Sequence, residues 1–209
     1  MMSFSFIPRT IFKTKSKISG EIIVKEHFGR YTLHVQGLIQ SGGIIKGIWK
    51  KPFKKLEKEL NVENCLILGL GGGTVVQLIK SPWPEAKILG IEIDPEIIKI
   101  GKQFFGLDRV ENLEIINKDA FQWLAKYQGK KFDLVLVDFY LGSKFSQQAE
   151  TDKFLESLKK ILSKKALVVF NRLRLPGEDL TGFEEKLDRH FSQVETIKTP
   201  TNLFFIARS

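Results

Sequence analysis

CLILGLGGGT (residues 65–74), followed by KILGIEID (87–94), organises the reading of this chain. CLILGL is a continuous apolar run, as expected for a strand covered on both faces. GLGGGT (69–74) follows directly and TVVQLIKS (74–81) continues with a helical pattern up to Pro82. Glycines between a strand and a helix allow a tight turn, close backbone approach and a helix N-terminus aimed at a polar or anionic ligand. A simple tight turn is the alternative, and the strand–turn–helix setting argues for a nucleotide site. KILGIEID forms the next strand, and Pro95 opens the next helix, PEIIKIGKQFF (95–105), where proline is tolerated.

Outward from this unit the alternation continues. LEIINKDA (113–120) is a strand and FQWLAKYQ (121–128) a short helix. FDLVLVDFY (132–140) is the most apolar strand, and TDKFLESLKKIL (151–162) is a helix with Thr151 as candidate cap. ALVVFNRL (166–173), a helix near 183–191 and the strands VETIKTP and NLFFIAR complete the chain. Strand–helix alternation predicts a largely parallel sheet with right-handed crossovers. The link Thr199–Asn202 is too short for a parallel crossover, so the last strand must run antiparallel. Residues 20–45 have another texture: EIIVKEH, YTLHVQG and LIQSGG read as short strands, Tyr31, Leu33 and Val35 alternating with Thr32, His34 and Gln36 at period 2, and they predict a small antiparallel hairpin layer. KGIWKKPFKKLEKEL (46–60) is read as a helix that Pro52 interrupts or restarts, its lysines forming a solvated face or, alternatively, a basic surface. The expected organisation is a flexible basic arm (1–19), the small β layer with its connecting helix (20–60) and a Rossmann-like domain (61–209).

Ligands of an open parallel sheet bind at the carboxyl ends of its strands. Besides Gly69, Gly71 and Gly73, the carboxylates Glu92, Asp119 and Asp138 fall there, with Asp94 close to Glu92. Glu92 ends a strand about 20 residues past the turn, where a carboxylate accepts ribose hydroxyls. Asp94 is read as the cap of the helix at Pro95. Asp119, with Ala120, either meets an adenine amino group or caps a helix. Asp138 stands at the mouth of the central strand, as a site residue or a loop cap, and Phe139 and Tyr140 beside it either wall an acceptor or pack.

Composition restricts the partners. With 209 residues, 43% hydrophobic and 27% charged, the chain is expected to form a globular protein with an aromatic core of 17 Phe. No apolar run nears the roughly 20 residues of a membrane span, and the N-terminus has no secretory pattern, which sets a cytoplasmic expectation. The single Cys65 opens a core strand and forms no internal disulfide, consistent with a reducing compartment. His27, His34 and His190 are scattered, so no metal site is expected. The net charge of +9 admits nucleic acid or other anionic partners, without any motif for RNA.

LILGLGGGT, IEID, NKDAFQWL and FDLVLVD, preceded by RYTLHVQGLIQ, resemble the class I S-adenosylmethionine-dependent methyltransferase fold, and within it the spermidine synthase family. The resemblance covers nearly the whole chain. It implies a seven-stranded α/β sheet with its last strand antiparallel and S-adenosylmethionine or its decarboxylated form as cofactor. It places Glu92 on the ribose, Asp119 and Ala120 at the adenine, and Asp138 beside the transferred group. It also implies a homodimer and a small-molecule acceptor.

The departures carry information. Spermidine synthases have an acid in the glycine turn, to hold the amine of the decarboxylated donor, where this chain has Gly72. They carry another acid where this chain has Leu141, and a histidine- and tyrosine-bearing helix where it has GIWKKPFKKL. From Phe139 to Gln148 there is no acid, and Lys144 is positive. A polycation needs compensating carboxylates in a partly dry pocket, so methyl transfer with Asp138 as general base is expected over aminopropyl transfer. A nicotinamide-dependent oxidoreductase is less favoured, because Thr74 replaces the third glycine of G-x-G-x-x-G. A non-catalytic nucleotide-binding homologue is the remaining alternative.

Overall fold

A computed structural model describes residues 7–142 and 144–209. Four strands, β1 (Arg9–Ser16), β2 (Gly20–His27), β3 (Arg30–Val35) and β4 (Leu38–Ser41), form an antiparallel meander. The basic segment expected to be a flexible arm is therefore corrected over Arg9–Ser16, which pairs with β2 from Arg9 opposite Glu26 to Ser16 opposite Gly20. Residues 1–6 lie outside the described residues. Lysines face outward along β1, while Ile11 and Phe12 pack on a core of Ile22, Val24, Leu33, Val35, Ile97 and Ile100. An amphipathic edge strand thus reads as a charged tail when only its net charge is considered.

Helix α1 (Gly43–Glu59) runs without a break through Pro52. This corrects the expectation of an interruption there. The proline removes one backbone hydrogen bond, but Trp49, Phe53 and Leu56 are buried beside it. Burying side chains of that size contributes about 1.5–3 kcal/mol each, so the face outweighs the missing bond.

The remaining elements are β5 (Asn64–Leu68), α2 (Thr74–Lys80), β6 (Lys87–Glu92), α3 (Pro95–Phe105), β7 (Leu113–Asn117), α4 (Ala120–Lys126) and β8 (Phe132–Val137). They are followed by a two-residue-per-strand hairpin, β9 (Tyr140–Leu141) and β10 (Lys144–Phe145), then α5 (Asp152–Lys160), β11 (Leu162–Leu173), α6 (Thr181–His190), β12 (Gln193–Lys198) and β13 (Asn202–Arg208). The main sheet has seven strands in the order β12-β13-β11-β8-β5-β6-β7. β13 is the antiparallel member, as the short link requires, and it inserts between β11 and β12. One face buries Phe154, Leu155, Leu158, Phe183 and Leu187 from α5 and α6. The other buries Trp49, Phe53, Val75, Val76 and Ile79 from α1 and α2. Strand order reverses between β5 and β8, so their carboxyl ends diverge into a crevice.

Candidate active site

The crevice is a cleft of about 400 Å³ between the carboxyl ends of β5, β6 and β8 and the concave side of the N-terminal meander. That is ample for a ligand of nucleoside size. Gly69, Leu70, Gly71 and Thr74 of the glycine turn line it, whereas Gly73, expected among the cofactor-binding residues, does not. Gly69 has φ 89°, and a Cβ there would lie 2.3 Å from the Asp138 carbonyl oxygen. Only glycine permits this approach of the turn to β8. Gly73 has φ 87° and starts α2, with Leu107 filling the space a side chain would need.

The amides of the turn have specific partners. Gly71 N–H donates to Glu92 Oε2 (2.9 Å), and Asp94 N–H donates to Glu92 Oε1 (3.0 Å). Enclosure by the cleft walls raises the Glu92 pKa above the usual carboxylate value, opposed by these amides. Gly72 N–H donates to Ser41 Oγ (2.9 Å), and Gly42 N–H donates to Thr74 Oγ1 (2.9 Å). The end of β4 is therefore docked reciprocally on the turn. A Cβ on Gly72 would sit 2.8 Å from Ser41 Oγ and 2.9 Å from Ser41 Cβ. Position 72 is glycine for want of room.

Asp94 is fully buried and caps α3, accepting from Glu96 N–H (3.0 Å); it does not line the cleft. Asp119 caps α4 through Oδ1, accepting from Gln122 N–H (2.8 Å), and also lines the cleft together with Ala120. The two roles considered for Asp119 are thus compatible.

Asp138 follows β8 and closes the cleft beside the turn. Enclosure pushes its pKa up to about 7; the Asn171 hydrogen bond opposes this, and the nearby Glu92 charge adds to it. Asn171 Nδ2 donates to Asp138 Oδ1 (2.8 Å), Asn202 Nδ2 donates to Asn171 Oδ1 (2.7 Å), and Thr201 Oγ1 donates to Asn202 Oδ1 (2.7 Å). This chain orients one carboxylate oxygen from behind. Sequence reasoning missed Asn171 and Asn202. A polar residue ending the buried run ALVVF was the available signal for Asn171; nothing local marks Asn202. Ser41 and Gln40 were also missed.

Phe139 both packs and lines the cleft, its ring centroid 4.7 Å from that of Phe121 and 5.8 Å from that of Phe154. Tyr140 accepts a hydrogen bond from Leu173 N–H through its hydroxyl oxygen, and enclosure raises its phenol pKa. Cys65 is buried, its thiol pKa raised by desolvation. Among the described residues no three His, Cys, Asp or Glu side chains cluster to hold a metal, and no helix is long and apolar enough to cross a membrane.

Residues 51–202 match the family model for the spermine/spermidine synthase domain. A polyamine aminopropyltransferase of Vibrio vulnificus is 32% identical over 111 residues, covering 52% of this chain and 37% of that protein. A Drosophila melanogaster protein described as an eEF1A lysine and N-terminal methyltransferase homolog is 27% identical over 128 residues, 57% of this chain and 18% of its own. The matched region thus spans well under half of these curated relatives. The fold is shared with a spermidine synthase crystallised with the transition-state analogue AdoDATO (TM-score 0.76, 16% identity, 96% of this chain and 73% of that one). It is also shared with human methyltransferase-like protein 13 bound to SAH (TM-score 0.62, 18% identity, 78% of each chain).

Proposed function

This chain belongs to the spermine/spermidine synthase domain family, and from that premise we propose that it is an S-adenosylmethionine-dependent methyltransferase. The observation that carries the choice of donor is the occupied position 72, where Ser41 fills the space that an amine-binding acid needs. A donor that keeps its carboxylate is then favoured over the decarboxylated one, which an acid would hold. The acceptor side points the same way. Beyond Asp138, which faces the attacking group, Tyr140, Leu141, Lys144, Phe145 and Ser146 line it with no further carboxylate, and the other amines of a polyamine would have to leave water uncompensated.

Bound S-adenosylmethionine supplies an electrophilic methyl group on a sulfonium. The protein supplies position and proton handling. Gly69 and Gly71 let the backbone approach the ligand. Glu92, held by two amides, turns its remaining lone pairs to the ribose hydroxyls. Asp119 and Ala120 border the adenine. Asp138, with a pKa of about 7, is matched to accept a proton from the attacking group near neutral pH, and Phe139 and Tyr140 narrow the space in front of it.

Aminopropyl transfer is the second reading, favoured by the Vibrio vulnificus relative. Thermal-shift titration with both donors, followed by turnover assays, separates the two. A donor at 100 times its Kd stabilises the native state by about 2.7 kcal/mol, and Glu92→Ala is expected to remove most of that shift. Turnover with only the decarboxylated donor and a polyamine would overturn methyl transfer.

A further inference from the structure

Apart from the strand ends of the main sheet, the lining of the cleft includes three further segments. These are the β1–β2 turn (Ile18, Ser19), the start of α1 (Ile45) with Gln40 before it, and the β9–β10 hairpin (Tyr140, Leu141, Lys144, Phe145). Three exposed lysines belong to these segments: Lys144 lines the cleft, while Lys17 and Lys46 are only sequence neighbours of the lining residues Ile18 and Ile45 and do not line it. None of the three makes an ion pair among the described residues. The wall between them is apolar and aromatic. Tyr140 and Phe145 meet edge to face at 5.4 Å, and the Arg172 guanidinium lies 4.3 Å behind the Phe145 ring. Arg172 is itself ion-paired to Glu150 and Glu178, so the ring is backed by a fixed group. The carboxylates of the cleft, Glu92, Asp119 and Asp138, all lie on the sheet side.

We propose that the acceptor is a small organic anion with a flat apolar body, its charged end at Lys144 and its reactive polar end at Asp138. The inference rests on the transferase reading and adds the substrate class. The unpaired Lys144 on the hairpin wall attracts an anion and repels an amine, while the aromatic wall holds a planar body. Asp138 at the far end meets the group that gives up a proton.

The test uses the full chain saturated with S-adenosylhomocysteine and three probes measured by calorimetry: 3-(4-hydroxyphenyl)propanoate, tyramine and putrescine. The first two share a phenol and differ in the sign of the tail charge. The acid is expected to bind about tenfold more tightly than tyramine, with putrescine weaker still. Lys144→Glu is expected to abolish or invert that preference while leaving the S-adenosylhomocysteine-induced thermal shift unchanged. Tighter binding of tyramine or putrescine, binding of no probe, or an unchanged preference in Lys144→Glu would overturn the inference alone. If S-adenosylhomocysteine itself fails to bind, the transferase reading falls and takes this one with it.

Discussion

Replacing Asn171 with leucine keeps the branched shape of the side chain and removes the donor behind Asp138. In the native protein Asn171 Nδ2 donates to Asp138 Oδ1 at 2.8 Å, which favours the ionised carboxylate against the desolvation that pushes its pKa up to about 7. A hydrogen bond to a charged group contributes about 1.5–3 kcal/mol. At 1.36 kcal/mol for each pH unit, its loss moves the midpoint upward by about one to two units. Asp138 in Asn171→Leu should therefore titrate between roughly pH 8 and 9. Carbon-detected NMR of protein labelled at the aspartate carboxyl carbons reads this directly, with the Asp138 signal identified by its absence in Asp138→Asn. The measurement needs no acceptor and no turnover. Any general loss of stability in the variant is separately visible in its thermal midpoint. A midpoint that stays in place or falls would refute the assignment of Asn171 as the group that holds Asp138 in its ionised form.

Two further outcomes follow from the same geometry. Because the Asp138 pKa is raised from 3.8 to about 7 on folding, the native state binds the proton more tightly than the unfolded chain, and this contribution to stability is lost as pH rises from about 4 to 7. Asp138→Asn should then be more stable than the native chain at pH 8, by up to a few kcal/mol, and nearly equal to it near pH 4; urea melts at the two pH values check this, and an equal gain at both would sink it. Gly72→Asp should destabilise the fold by about 1–3 kcal/mol through overpacking against Ser41, with partial recovery in the double variant Ser41→Gly/Gly72→Asp. In that double variant, thermal shifts should move in favour of the decarboxylated donor, and an unchanged preference would remove position 72 as the determinant.

What could be read from the sequence was local. The apolar run Cys65–Leu70, its glycines and the carboxylate at Glu92 lie within one strand–helix–strand unit, where periodicity and spacing carry the information, and the structure brings Gly69, Leu70, Gly71 and Glu92 to a single cleft. The antiparallel β13 was legible for a similar reason, since a link as short as Thr199–Asn202 admits few geometries. The partners of these residues come from distant segments. Ser41 meets Gly72 across 31 positions, and Asn171 meets Asp138 across 33; no helical or strand period encodes such contacts. The β1 strand was hidden differently. Lys13 and Lys15 face outward, and with Arg9 and Lys17 they leave the first twenty residues basic and without an acid, while the packing of Ile11 and Phe12 depends on α3, far along the chain.

The placement of β13 has a consequence for the order of assembly. It follows the other six strands of the sheet in chain order, yet it lies inside the sheet, between β11 and β12, and its first residue, Asn202, completes the relay to Asp138. A growing polypeptide can form the glycine turn and seat Glu92 while its C-terminal hairpin is still being made. The relay behind the Asp138 carboxylate is complete only when that hairpin has inserted. Because Phe204, Phe205, Ile206 and Ala207 of the same strand fill the core on both faces of the sheet, orientation of Asp138 and closure of the core depend on one late step, and a chain truncated before Asn202 is expected to lose both.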